Sequence, residues 1–267
     1  MIFFASVSPQ AQSFGGVNWF TNVTLFTILV VAVLVALVQL GLRKIELVPG
    51  SLQNFCEWVV EQLYNLVETV VGKRMTPKVF PLLGSFFIFI LVGNWIGLLP
   101  GVSTIGFGEV QNGVFEVTEP LLRPSSTDLN VTAGLALLFM VIWIYWVFTE
   151  EGIVNFLKHI FVPDVQFPLV VKIVVGVIFL FVGMLELLSI ALRPITLAVR
   201  LFANIFAGEN ILHAMSAIAG PVWSVVFTFP FYCLELMVGL VQALVFVVLC
   251  AVYTRLAIPD REPGGAH

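Results

Sequence analysis

Five ionisable side chains, Glu186, Arg193, Arg200, Glu209 and Glu235, stand inside two stretches that are otherwise almost wholly apolar, Leu169 to Ala219 and Pro221 to Ile258. A charged side chain at the centre of a bilayer costs about 2.5–3.5 kcal/mol on insertion scales, so five of them demand partners or water, and intramembrane charges of this kind mark ion paths. Glu186, Arg193 and Arg200 are spaced by seven residues, close to two helical turns, and fall on one stripe of a helix subject to a kink at Pro194. Asn204 extends that stripe by one turn. Glu209, nine residues past Arg200, points to nearly the opposite face, while Glu235 and Gln242, again seven apart, share a stripe on the last helix. The expected arrangement is a helix with a cationic middle and acids displaced toward its ends, met by a second helix offering one acid and one amide. Arg200 has no acid three or four residues away, where a helical ion pair needs one. Its partner must come from elsewhere, another chain included.

Each residue also has a plainer reading. Arg193 and Glu186 can be a structural pair. Asn204, Gln242 and Asn94 can be interhelical hydrogen-bond glue. His213 is one turn from Glu209, but two ligands on one helix make a poor metal site, and neither a metal nor a cofactor is expected.

The elements that must position these groups are membrane elements. Hydrophobic residues make up 60% of the 267 residues and charged residues only 10%, against about 25% charged in an ordinary soluble domain. The bilayer is therefore the expected solvent. No basic tract points to nucleic acid, and Cys56, Cys233 and Cys250 are too scattered for a disulfide framework or a metal knuckle. The first residues, Met1 to Phe14, lack a basic start and do not read as a signal peptide. The fold class expected is an all-α integral membrane protein with five membrane helices, the last two long and strongly tilted, plus one interfacial amphipathic helix.

Residues 20–42 form the first transmembrane helix and 51–71 the amphipathic one, with Leu52, Phe55, Val59, Leu63, Leu66 and Val70 at helical spacing and Gly72 as its stop. That helix either lies on the membrane surface or packs on other protein. Residues 79–148 read as a helical hairpin whose connection, Gly101 to Asp128, is a loop, and a polar connector follows from Thr149 to Phe167. Residues 169–258 then supply two long helices. The stretch from Leu169 to Ala219 is about twice the length needed to cross once. It is either split by a turn near Arg193-Pro194 or is one long tilted helix. The absence of Gly, Asn and Asp from Ser189 to Leu197 favours the single helix. A strong tilt calls for a shaped partner. Nine basic residues, Arg43, Lys44, Lys73, Arg74, Lys78, Lys158, Lys172, Arg255 and Arg261, fall on one side and only Arg123 on the other. That asymmetry predicts an outside N-terminus and a cytoplasmic C-terminus.

The run Arg193-Pro194-Ile195-Thr196-Leu197-Ala198-Val199-Arg200-Leu201-Phe202-Ala203-Asn204-Ile205-Phe206-Ala207-Gly208-Glu209 closely resembles the signature of the F-type ATP synthase a subunit family. Asn94-Trp95-Ile96-Gly97-Leu98-Leu99-Pro100, Thr127-Asp128-Leu129-Asn130-Val131-Thr132 and Gln242-Ala243-Leu244-Val245-Phe246 agree with it, and the similarity covers about Pro49 to Tyr253. The resemblance implies a proton-translocating stator subunit that is not catalytic alone. Arg200 would be the essential arginine facing carboxylates on a ring of c subunits, with Asn204 and Gln242 as polar neighbours. Glu209 and Glu235 would line one aqueous half-channel and Glu186 would help form the other, with Arg193 beside it. The implied partners are the c-subunit ring, b-type peripheral stalk subunits, the remaining ATP synthase subunits and the lipid bilayer. The implied location is an energy-coupling membrane such as the bacterial inner membrane. Ala203 and Thr196 depart from the common glycine and serine, and both Glu209 and Glu235 are acids where relatives often pair a carboxylate with a histidine.

The residues alone also admit a self-sufficient secondary transporter, an intramembrane enzyme and a passive scaffold. The crowding of charges into the last third argues against an inverted repeat. No HExxH or GxSxG supports an enzyme.

Overall fold

The computed structural model describes residues 21–41, 50–99, 102, 106–111, 114–120, 122–152, 156 and 169–258. The first residues, most of the connector after α4 and the C-terminal tail lie outside the described residues.

Helix α1 spans Asn22–Gly41, α2 Ser51–Val71, α3 Thr76–Gly97, α4 Leu129–Glu150 and α5 Leu169–Ala257. Five stretches within these helices are long and apolar enough to cross a membrane: Asn22–Gln39, Thr76–Gly97, Leu129–Glu150, Ile178–Ser216 and Trp223–Ala257. The membrane-embedded architecture is all-α, as expected. The connection between α3 and α4 is not a simple loop. Strands β1, Gly106–Gln111, and β2, Val114–Pro120, pair antiparallel there, with a bulge between Phe107 and Gly108. Its Gly, Thr and acidic content reads as loop from composition, yet two short alternating runs suffice for a hairpin once the flanking helices fix its ends.

The boundaries follow from local chemistry. Helix α2 stops at Gly72, whose φ of 91° is a left-handed conformation that glycine adopts without steric cost. Helix α3 begins with a proline in its first turn, where the missing N–H would be unsatisfied in any case. Asp128 caps α4, accepting a hydrogen bond from the Asn130 N–H at 2.7 Å.

Helix α5 is helical without interruption through Arg193-Pro194, so the turn considered there does not exist. The chain reverses farther on. Ser216 and Ser224 are eight residues apart, yet their hydroxyls meet at 2.9 Å. Asn204 Nδ2 donates to Gln242 Oε1 at 2.6 Å across 38 residues, which a straight helix would hold about 57 Å apart. The two arms of α5, Ile178–Ser216 and Trp223–Ala257, are therefore an antiparallel hairpin that turns in the neighbourhood of Gly220-Pro221. At about 1.5 Å per residue, arms of 39 and 35 residues exceed the roughly 30 Å needed to cross upright.

One apolar core joins α2, α3, α4 and both arms of α5. Leu63, Val67, Leu83, Phe139, Trp143, Leu201 and Phe246 are among its buried members. Phe86 and Phe246 meet edge to face there, with ring centroids 5.7 Å apart. A smaller cluster of Phe26, Val30 and Val102 seats α1. The two readings of α2 divide along its length. Its C-terminal half buries Leu63, Val67 and Val71 in the core, while Phe55 and Trp58 nearer its start remain exposed.

Candidate functional site

The α5 hairpin sorts the ionisable groups into two ends with Arg200 between them. At one end, Arg193 is buried. Its Nη2 donates to Glu186 Oε1 at 3.0 Å, and its guanidinium carbon lies 5.5 Å from the Trp143 ring centroid and 4.8 Å from that of Tyr253. Both distances suit a cation–π contact. The Trp143 indole N–H donates to the Tyr253 backbone carbonyl at 3.1 Å, which ties α4 to the second arm and orients the indole. Glu186 is exposed and faces a cleft of ≈ 770 Å³ that Arg193, Ser189, Glu151, Trp143 and Tyr253 also line. The Arg74 and Lys78 side chains pair with Glu150 at this end of the molecule, and Arg255 donates to the Val71 carbonyl at 3.4 Å.

At the other end, nearer the hairpin turn, Glu235 is buried and Glu209 half-buried. Glu209 lies within electrostatic range of Glu235 and of Arg123. Glu209 Oε2, Glu235 Oε1 and Thr228 Oγ1 are enclosed without a hydrogen-bond partner among the described residues. Helix α3 frames this end. The Asn94 amide donates to the Gly239 carbonyl at 3.4 Å and accepts from Ser126 Oγ at 2.7 Å, and the Trp95 indole N–H donates to the Leu236 carbonyl at 3.2 Å.

Between the ends, Arg200 and Asn204 are exposed and Gln242 is buried. Among the described residues, Arg200 makes no hydrogen bond or ion pair with its own chain. The exposed residues at helical spacing around it on the first arm, Thr196, Ala203, Ala207 and Ile211, are small or apolar apart from Asn204. An exposed guanidinium on an apolar helix face is surface meant for cover.

The stripe expected for Glu186, Arg193 and Arg200 is thus divided by its neighbours. Arg193 turns in against Trp143 and Tyr253, and among the described residues Arg200 has no such aromatic pair opposite it. Glu209 does leave the face of Arg200, and Glu235 and Gln242 do share the inner side of the second arm. Asn204 and Gln242 are brought together, as are Glu209 and Glu235. His213 is half-buried. Among the described residues, no three His, Cys, Asp or Glu side chains lie together as a metal site. The aromatic pair around Arg193, the buried Thr228 and the contribution of Arg123 were not assigned from sequence. Only Arg123 carried a signal, as the single basic residue on its side.

Such a molecule is a polytopic helical membrane protein whose final hairpin carries a broken line of ionisable groups along its span. A family model described as "ATP synthase A chain" matches residues 24–255. The chain is 34% identical over 259 residues to the ATP synthase subunit a of Xanthobacter autotrophicus, covering 92% of this chain and 91% of that one. It is 31% identical over 236 residues to that of Gloeobacter violaceus, covering 88% and 83%. It is also 31% identical over 264 residues to that of Cereibacter sphaeroides, covering 96% and 89%. The chain belongs to the ATP synthase A chain family. It is a multi-pass, proton-translocating membrane-sector subunit of that multisubunit complex and is not catalytic alone.

Proposed function

We propose that Arg200 is the stator arginine that faces carboxylates on a rotating ring of c subunits, and that the two ends of the α5 hairpin are two offset aqueous half-channels. Glu209 and Glu235 line the half-channel at the turn end. Glu186, with Arg193 beside it, lines the other. Asn204 and Gln242 flank Arg200. The observation that carries this reading is the placement of Arg200. It is an exposed cation on a mostly apolar face, unpaired among the described residues, with enclosed acids toward the turn and the Glu186 cleft toward the other end of the hairpin.

The chemistry follows from charge and solvent. A proton entering one half-channel neutralises a ring carboxylate, which can then face lipid without the cost of burying a charge. After nearly a full turn, the site reaches Arg200 and the second half-channel. The guanidinium carries a permanent positive charge. Its field favours the ionised carboxylate, and the proton leaves. The same fixed charge repels a proton moving straight from one half-channel to the other. Each elementary charge crossing 100 mV yields about 2.3 kcal/mol, which biases the rotation. The overlong arms suit a curved partner such as a ring, and b-type stalk subunits would hold the chain static against it. The clustering of Arg74, Lys78 and Arg255 at the Arg193 end supports a cytoplasmic position for that end and for the C-terminus, in an energy-coupling membrane such as the bacterial inner membrane.

The test is Arg200→Ala in the whole complex in sealed vesicles. Coupled proton pumping and ATP synthesis are expected to disappear while the complex still assembles. Coupling that persists without the arginine rejects the reading.

A further inference from the structure

The acid pocket at the turn end holds more buried carboxylate than its own two arms satisfy. Glu209 Oε2 and Glu235 Oε1 are both enclosed without a donor among the described residues. An ionised carboxylate enclosed away from water is costly unless a cation or donor compensates it.

Arg123 belongs to neither arm of α5. It precedes the short 3₁₀ turn Ser125–Thr127 and is only 6% exposed. Its Nε donates to Thr127 Oγ1 at 3.1 Å and its Nη2 to the Thr127 carbonyl at 3.4 Å. The turn that holds it is bound to the pocket wall. Ser126 Oγ donates to Asn94 at 2.7 Å, and Asn94 donates onward to the carbonyl of Gly239, one helical turn past Glu235. Arg123 lies within electrostatic range of Glu209. It is also the basic residue that the charge asymmetry of the sequence leaves on this side. Burying a permanent cation is costly unless an anion is near, and Glu209 is an acid within range of it.

We propose that Arg123 is a positioning residue of the proton path, the fixed counter-charge that lets the Glu209–Glu235 pair hold a negative charge between protonation events. The proposal rests on the reading of that pair as a half-channel. It adds a third element, the segment before α4, to a site otherwise built from the two arms of α5. With two acids and one fixed cation, the pocket keeps one carboxylate ready to accept a proton. Without the cation, the pair would stay protonated and proton exchange would slow.

The experiment uses the whole complex in sealed vesicles carrying Arg123→Gln, Arg123→Lys, Glu209→Gln, or Arg123→Gln together with Glu209→Gln. Passive proton flow and the thermal midpoint of the assembled complex are both measured. Arg123→Gln is expected to slow flow by about tenfold and to lower the midpoint, and Arg123→Lys to recover flow to within about threefold of the parent. In the Glu209→Gln background the lowering of the midpoint should largely vanish, because Glu209 is the carboxylate within electrostatic range of Arg123. Equal lowering in both backgrounds overturns the proposal. So does a lysine variant no better than glutamine, or unchanged flow in Arg123→Gln. Should Arg123→Gln fail to assemble, the double variant decides: recovered assembly supports charge balance, and continued failure overturns it. Arg200→Ala in the same vesicles keeps the two readings apart. Coupling retained there removes the half-channel assignment itself, whereas a silent Arg123→Gln beside an uncoupled Arg200→Ala removes only the role of Arg123.

Discussion

The carboxyl group of Glu235 occupies the space that a side chain on residue 208 would fill. A Cβ built on Gly208 would overlap Oε1, Oε2 and Cδ of Glu235. The absence of that one carbon lets the second arm of α5 lay an acid against the first arm, directly beside Glu209.

Gly208→Ala should therefore act on Glu235 more than on stability. The obstructing atoms are the far end of a flexible side chain, which can rotate away, and alanine is the better helix former by about 1 kcal/mol. Assembly and thermal midpoint are expected to stay near the parent while proton flow falls several-fold. Measuring both in the same vesicles separates the effects. A large loss of assembly with normal flow per assembled complex would contradict the notch.

Arg193 and Glu186 should behave asymmetrically. The arginine is buried against Trp143 and Tyr253, whereas the Glu186 side chain is 48% exposed. Partly exposed ion pairs contribute about 0–1 kcal/mol, and desolvated cation–π contacts up to about 2 kcal/mol. Glu186→Gln is expected to cost less than about 1 kcal/mol. Arg193→Ala should cost about 2–3 kcal/mol, because it also empties the space between the rings. Unfolding of the detergent-solubilised complex measures both, and equal costs would remove the aromatic clamp as the dominant contact.

The hydrogen bond between Asn204 and Gln242 joins an exposed amide to a buried one. Asn204→Ala leaves the Gln242 carbonyl oxygen buried and unpaired, while Gln242→Leu removes the buried polar group altogether. Interhelical hydrogen bonds in membranes average about 0.6 kcal/mol and reach about 1.7. Asn204→Ala is expected near the upper figure and Gln242→Leu near or below the lower one. The double variant should resemble Gln242→Leu alone, and additive losses in a double-mutant cycle would show that the two amides are not partners.

Much of this architecture was legible in the residues. Charge-free apolar runs fix membrane helices because a backbone in lipid must satisfy its own hydrogen bonds. The stretch from Leu169 to Ala219 is one helix because nothing between Ser189 and Leu197 can turn the chain. A lone proline frees only local backbone groups and leaves the helix intact. Helical spacing placed Glu209 away from Arg200 and put Glu235 in line with Gln242. The Arg200 motif carried the family resemblance.

What the sequence could not determine was which polar groups meet. Spacing gives the face of a helix but not its neighbour, so Glu186, Arg193 and Arg200 share a stripe in projection, yet Arg193 alone is buried by Trp143 and Tyr253. The β-hairpin between α3 and α4 depends on two strands finding each other, a non-local pairing that composition hides. Only tertiary packing sets the register of the α5 hairpin, which puts Gly208 opposite Glu235 and Asn204 opposite Gln242. Only the docking of the Ser125–Thr127 turn onto Asn94 brings Arg123, remote in the chain, within electrostatic range of Glu209. Local sequence encodes the conformation and polarity of each helix, while the charge balance at the site is fixed by distances between helices, and those exist only once the helices have packed.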